Sequence, residues 1–378
     1  MKVMSRVALN QKDAVDLCIG AGILGTGGGG LPDFGIFALQ EILKSGRRVE
    51  MIGVEDVPDD ALILCPAGVG SIAPSPRIEE RKRLRAEKVA TENNPFYVAL
   101  RTLESHLNKK AYATVAVEIG GSNTAYAAVT AALAGIPFVD ADPVGRSIPE
   151  IDMSTFTIHG VPIAPMAISD VYDYEIIVKK VRNDKQAEDL ARAIAASHGG
   201  GCSVVCRPVE GRRFKETVIP KTVSKALGIG RALSEALEWG RDPVQAVTDA
   251  ADGFPLFAGK VSAFEWEDRA GHMWGSTTID GDGIYSGKSM RIWFKNENLV
   301  SWIDGDPFVT CPDLICVLDP TSGRAITNGE MRVGAKVDVV GIASAPVWRS
   351  ERGLEILSPK RFGFDIDYVP IEERAVRR

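Results

Sequence analysis

Apolar residues in the first half of the chain alternate between helical spacing and short unbroken runs. Ala14, Leu17, Cys18, Ala21 and Leu24 follow a helical stripe, and Asn10 is placed to cap its start. Leu31-Pro32-Asp33 opens a second helix, with Phe34, Phe37, Ala38 and Ile42 at helical spacing and Gly46 near its end. Residues 49–54 and 61–65 read as strands, 95–107 as a helix and 113–117 as another strand. A small-residue helix at 123–134 and a short buried strand at 137–139 follow. This alternation predicts an α/β N-terminal domain with a largely parallel sheet.

The texture changes between Pro162 and Asp170. Residues 174–180, 185–197 and 202–207 read as strand, helix and strand, and helices are expected over 218–239 and 243–251. Strands then dominate, at 257–266, 272–280, 290–294, 299–303, 314–318 and 336–343. Turns such as Asp280-Gly281-Asp282-Gly283 separate them. The second half therefore predicts an α+β, β-rich C-terminal domain, giving domains of 1–170 and 171–378.

One interruption stands out. Gly25-Thr26-Gly27-Gly28-Gly29-Gly30 joins helix to helix. Glycines are costly to order, so such a run implies close backbone approach to something. Gly20, Gly22 and Gly25 match G-x-G-x-x-G as a string, but no strand precedes them and no P-loop lysine follows. Two readings stay open: an anion held by the amides of Gly27, Gly28, Gly29 and Gly30, or a tight helix crossing that tolerates no Cβ.

Composition narrows the partners. With 378 residues, 45% of them hydrophobic, the chain can bury two cores, and a net charge of −6 argues against a nucleic-acid surface. The mixed-sign run Arg77–Lys88 reads as a solvated helix face. No apolar run reaches membrane-span length and the N-terminus lacks a signal-peptide core, so a cytoplasmic protein is expected. The six cysteines match no zinc spacing, and Cys202 and Cys206 read as buried small residues on one strand face.

Candidate chemistry follows the strands, where open α/β sheets bind ligands. Glu118-Ile119-Gly120-Gly121-Ser122-Asn123 delivers a carboxylate to a strand end, fit for a general base, a metal ligand or a loop-bonded structural role. Asp140-Ala141-Asp142-Pro143-Val144-Gly145-Arg146 offers two carboxylates at i, i+2. Arg146 is positioned to fork onto a substrate carboxylate, or else to pair with the two aspartates around a turn. Asp170 lies at the domain junction, and His198 ends a helix before Gly199-Gly200-Gly201, either as a cap or as an acid–base group. No serine-triad, cysteine-protease or H-E-x-x-H signature is present.

These segments, together with Phe362-Gly363-Phe364-Asp365-Ile366-Asp367-Tyr368, resemble the S-methyl-thiohydantoin desulfurase-like family over essentially the whole chain. The resemblance implies two domains and hydrolysis of a thiohydantoin-like ring in bacterial catabolism. It also implies a possible association with hydantoinase-type proteins. It carries no secure catalytic set. The residue roles expected here are Glu118 or Asp142 as base, with Asp170 and His198 as further catalytic candidates. Asn123 and Arg146 would orient substrate, and the glycine amides would receive developing charge. No cofactor is required, although the carboxylates also fit a divalent metal. A homo-oligomer is expected. The alternative is a non-catalytic binding or regulatory subunit beside a hydantoinase-type enzyme.

Overall fold

The computed structural model describes residues 6–74 and 76–375. The first helix, Gln11–Leu24, starts where Asn10 accepts from the amides of Lys12 and Asp13, while Asp13 reaches back to the Asn10 amide. This capping box satisfies the orphan donors of the first turn. The helix ends at the glycine run, and Pro32 begins the next helix, Pro32–Lys44.

An eight-stranded sheet forms the N-terminal layer, in the order Val7–Ala8, Glu50–Ile52, Phe138–Val139, Ala113–Thr114, Leu62–Gly70, Gly201–Glu210, Met166–Ser169 and Glu175–Val178. The four strands from Glu50–Ile52 to Leu62–Gly70 are parallel, and the flanking pairs are antiparallel. The parallel core is thus the part built by the alternating helices. Gly201–Glu210, from beyond residue 170, joins the same sheet against Leu62–Gly70. Cys202 and Cys206 point from it into the core.

A seven-stranded antiparallel sheet forms the second layer, in the order Asp306–Thr310, Glu297–Ile303, Ser289–Lys295, His272–Gly281, Phe254–Arg269, Lys336–Ile342 and Leu314–Leu318. Helices Gln11–Leu24, Pro32–Lys44, Asn123–Ala134 and Thr222–Glu238 share one apolar core with residues of both sheets, from Phe138 to Cys316 and Val340. The first and last of these helices meet with almost no side chain between them. A Cβ on Gly20 would lie 1.8 Å from the Ala226 carbonyl oxygen, and one on Gly230 would lie 1.8 Å from that of Asp16. Gly20 and Gly22 therefore serve helix packing, with no strand before them. No helix among the described residues is long and apolar enough to cross a membrane.

The glycine run is pinned into the second sheet. The Thr26 hydroxyl donates to the Ile315 carbonyl and accepts from the Ile315 amide. The Asn298 amide donates to the Thr26 carbonyl, and the Asn328 amide to that of Gly27.

Candidate active site

Glu118 sits four residues past the strand Ala113–Thr114, in the turn that leads into helix Asn123–Ala134. Its carboxyl is buried. The Asn123 side-chain amide donates to one oxygen at 2.5 Å, and the Ile148 backbone amide to the other at 2.8 Å. Burial pushes its pKa up to about 7, against the pull of those two donors. A second carboxyl, Glu297, begins the strand Glu297–Ile303 and is buried as well. One of its oxygens accepts from the Gly29 amide at 3.2 Å. Burial and the neighbouring Glu118 charge raise its pKa well above the usual range.

Both glutamates line one cavity of about 430 Å³, together with Gly28, Gly29, Gly30 and Asn123. Further wall comes from Gly68–Pro74, Arg81, Arg85, Tyr126 and Arg192. The cavity draws on both sheets and on the glycine run between them.

The run owes its composition to packing as much as to exposure. A Cβ on Gly28 would lie 1.9 Å from a Glu297 oxygen, and one on Gly29 would lie 2.0 Å from the Ser147 hydroxyl. Gly27, Gly29 and Gly30 have φ of +92°, +73° and +80°, a region other residues seldom enter. Among the amides of Gly27 to Gly30, two are already used, Gly28 on the Gly25 carbonyl and Gly29 on Glu297. The group this loop holds is the protein's own carboxyl, that of Glu297. Gly27 lies just outside the cavity wall, against Asn298 and Asn328.

The remaining expected site residues lie elsewhere. Asp142 is fully buried and does not line the cavity, accepting from the amides of Val144 and Gly145 as the cap of its own turn. Burial raises its pKa to about 7. Asp140 bonds instead to the Ser224 amide and hydroxyl, so the two aspartates do not share a site. Arg146 does not reach the cavity either, and neither aspartate is its partner. Its guanidinium donates to the carbonyls of Ser147, Asn298, Pro312 and Asp313, stitching the loop to the second sheet. Replacing it with methionine should destabilise the fold by about 3 kcal/mol or more in urea unfolding, because several buried acceptors lose their donors. A change below about 0.5 kcal/mol would show that those carbonyls find other partners.

Asp170 forms a bidentate pair with Arg81, at 2.5 and 2.7 Å, and so backs the cavity wall without lining it. His198 is exposed, bonded to Ser197, with its ring tilted against that of Tyr174. It caps the helix Asp184–Ser197 and stays outside the cavity.

The helix Pro76–Lys88 corrects the expectation of a solvated face. Glu80, Arg83 and Glu87 are exposed, but Arg81 is buried and Arg85 turns onto the cavity. Arg85 lies over the rings of Phe34, Phe96 and Tyr126 and donates to the Tyr126 hydroxyl. Its Nε is buried without a hydrogen-bond partner, and no carboxylate among the described residues pairs with it. Arg192, by contrast, spends its donors on Glu188 and on the carbonyls of Gly70, Pro149 and Gly271.

Sequence reasoning missed Glu297. Lys295-Asn296-Glu297-Asn298 looks like an ordinary polar hairpin turn between apolar strands, yet all four residues are buried. Among the described residues, no group of three or more His, Cys, Asp or Glu side chains is arranged to hold a metal ion.

The molecule is therefore a two-domain α/β and β-sheet protein whose buried carboxyls meet in one cavity between the sheets. The chain belongs to the S-Me-THD-like family: the model of that family's N-terminal domain matches residues 12–180 and that of its C-terminal domain residues 182–371. An X-ray crystal structure of a protein from Chromobacterium violaceum shares the fold, with a TM-score of 0.77 at 22% identity. That match covers 97% of this chain and 100% of the other. No curated protein matches the chain.

Proposed function

We propose that the protein hydrolyses a small thiohydantoin-like or hydantoin-like ring, with Glu118 as the base that activates water. The observation that carries this reading is a buried carboxyl on the wall of a ligand-sized cavity, with a pKa near 7. A base of that strength is matched to neutral pH. Family membership supports the ring class. Asn123 holds the Glu118 carboxyl and orients it. Arg85, with its open donor and aromatic neighbours, takes the orienting role expected of Arg146 and holds an electron-rich or carboxylate substituent of the substrate.

The test is loss of ring absorbance when purified protein meets thiohydantoins and hydantoins. Turnover is expected. The base works ionised, so kcat/KM should rise as pH passes through about 7. Tight binding of such rings without turnover would support the binding-subunit alternative instead.

A further inference from the structure

Glu297 raises a question that Glu118 does not. Glu118 has a donor on each oxygen. Glu297 has one long bond, from the Gly29 amide, and its other oxygen is buried with no partner in the described structure. An ionised carboxylate so poorly served would be costly to bury, whereas a neutral acid needs far less. An acid also turns the orphaned oxygen into a hydroxyl donor, on a residue that lines the cavity.

The surroundings agree. The charged groups acting on Glu297 are Glu118, which favours its neutral form, and Arg146 and Arg192, which favour its ionised form. Both arginines have their donors committed to carbonyls or to Glu188, and neither forms an ion pair with Glu297. On its own turn, Lys295 is paired with Glu150. Burial and the Glu118 charge prevail. Gly28 lacks the Cβ that would collide with this carboxyl, so the glycine run makes room for it.

We propose that Glu297 is the site's proton holder, a neutral acid paired with the ionised Glu118, and that it protonates the ring as water attacks. The proposal rests on the hydrolase reading for its substrate. In the first step the water oxygen bonds to the ring carbon and its proton passes to Glu118. The C=N or C=O electron pair moves onto the heteroatom, which takes the Glu297 proton. On collapse a C=O bond forms and the bond to the leaving sulfur or nitrogen breaks. The leaving atom takes the proton from Glu118, and the intermediate's acidic proton returns to Glu297. Both carboxyls end as they began.

The experiment is infrared titration of wild type, E118Q and E297Q across the neutral range, run beside thiohydantoin kinetics. A protonated-carboxyl band persisting above pH of about 7 is expected in wild type and E118Q and lost in E297Q. E297Q should lose about 10²–10⁴ in kcat with little change in KM, and its pH profile should lose the alkaline limb. A merely structural Glu297 would leave that limb in place. A band that survives in E297Q, or vanishes in E118Q, overturns the assignment even if E297Q folds poorly. Wild-type turnover with unaltered E297Q kinetics removes Glu297 and keeps the hydrolase reading. No wild-type turnover, with the band lost only in E297Q, removes the hydrolase reading and keeps Glu297 as the proton holder.

Discussion

Glu118→Gln should cut turnover of a thiohydantoin or hydantoin ring by about 10²–10⁴, the usual contribution of a positioned base. Ligand affinity should change far less, because base catalysis is felt mainly in the transition state. Glutamine keeps the size of the side chain and an oxygen for one of its two donors, Asn123 and Ile148. The same variant alters stability in a predictable direction. The folded pKa of Glu118, about 7, lies above the ordinary 4.5, so the native state holds the proton more tightly. Wild-type stability should therefore fall as pH rises from about 4.5 to about 7, and this slope should flatten in the variant. Urea unfolding at several pH values checks it. Unchanged turnover would remove Glu118 from the mechanism.

Gly28→Ala should be nearly as damaging, although it adds only a methyl group. That carbon would lie 1.9 Å from a Glu297 oxygen and 2.5 Å from its carboxyl carbon. Glu297 must then swing away, and overpacking of this kind costs about 1–3 kcal/mol. Turnover should fall by about the factor expected for losing the acid, 10²–10⁴. Combining Gly28→Ala with Glu297→Ala should recover most of the stability and none of the activity. Wild-type turnover in Gly28→Ala would mean that the carboxyl's place at the loop is immaterial.

The sequence makes some of this design visible. Asn10 and its helix follow from local spacing, because a capping box needs only residues three apart. Glu118 and Asn123 were recognisable for the same reason, as a strand end leading into a helix. Arg146 was misjudged because nothing local shows that four carbonyls, three of them more than 150 residues away, will claim its donors. Glu297 is the extreme case. It meets Gly29 across 268 residues, and the polar turn that holds it looks solvent-facing until the glycine run packs against it. The glycine run was read as an anion cradle or a tight crossing. It is a tight crossing that also holds a carboxyl of the chain itself.

The most direct measurement is ring hydrolysis by the purified protein in ¹⁸O-labelled water, followed by mass spectrometry of the product. A single labelled oxygen at the former ring carbon is predicted, formed by wild type and nearly abolished in Glu118→Gln. Ring binding in the cavity with no labelled product from any thiohydantoin or hydantoin would contradict the account.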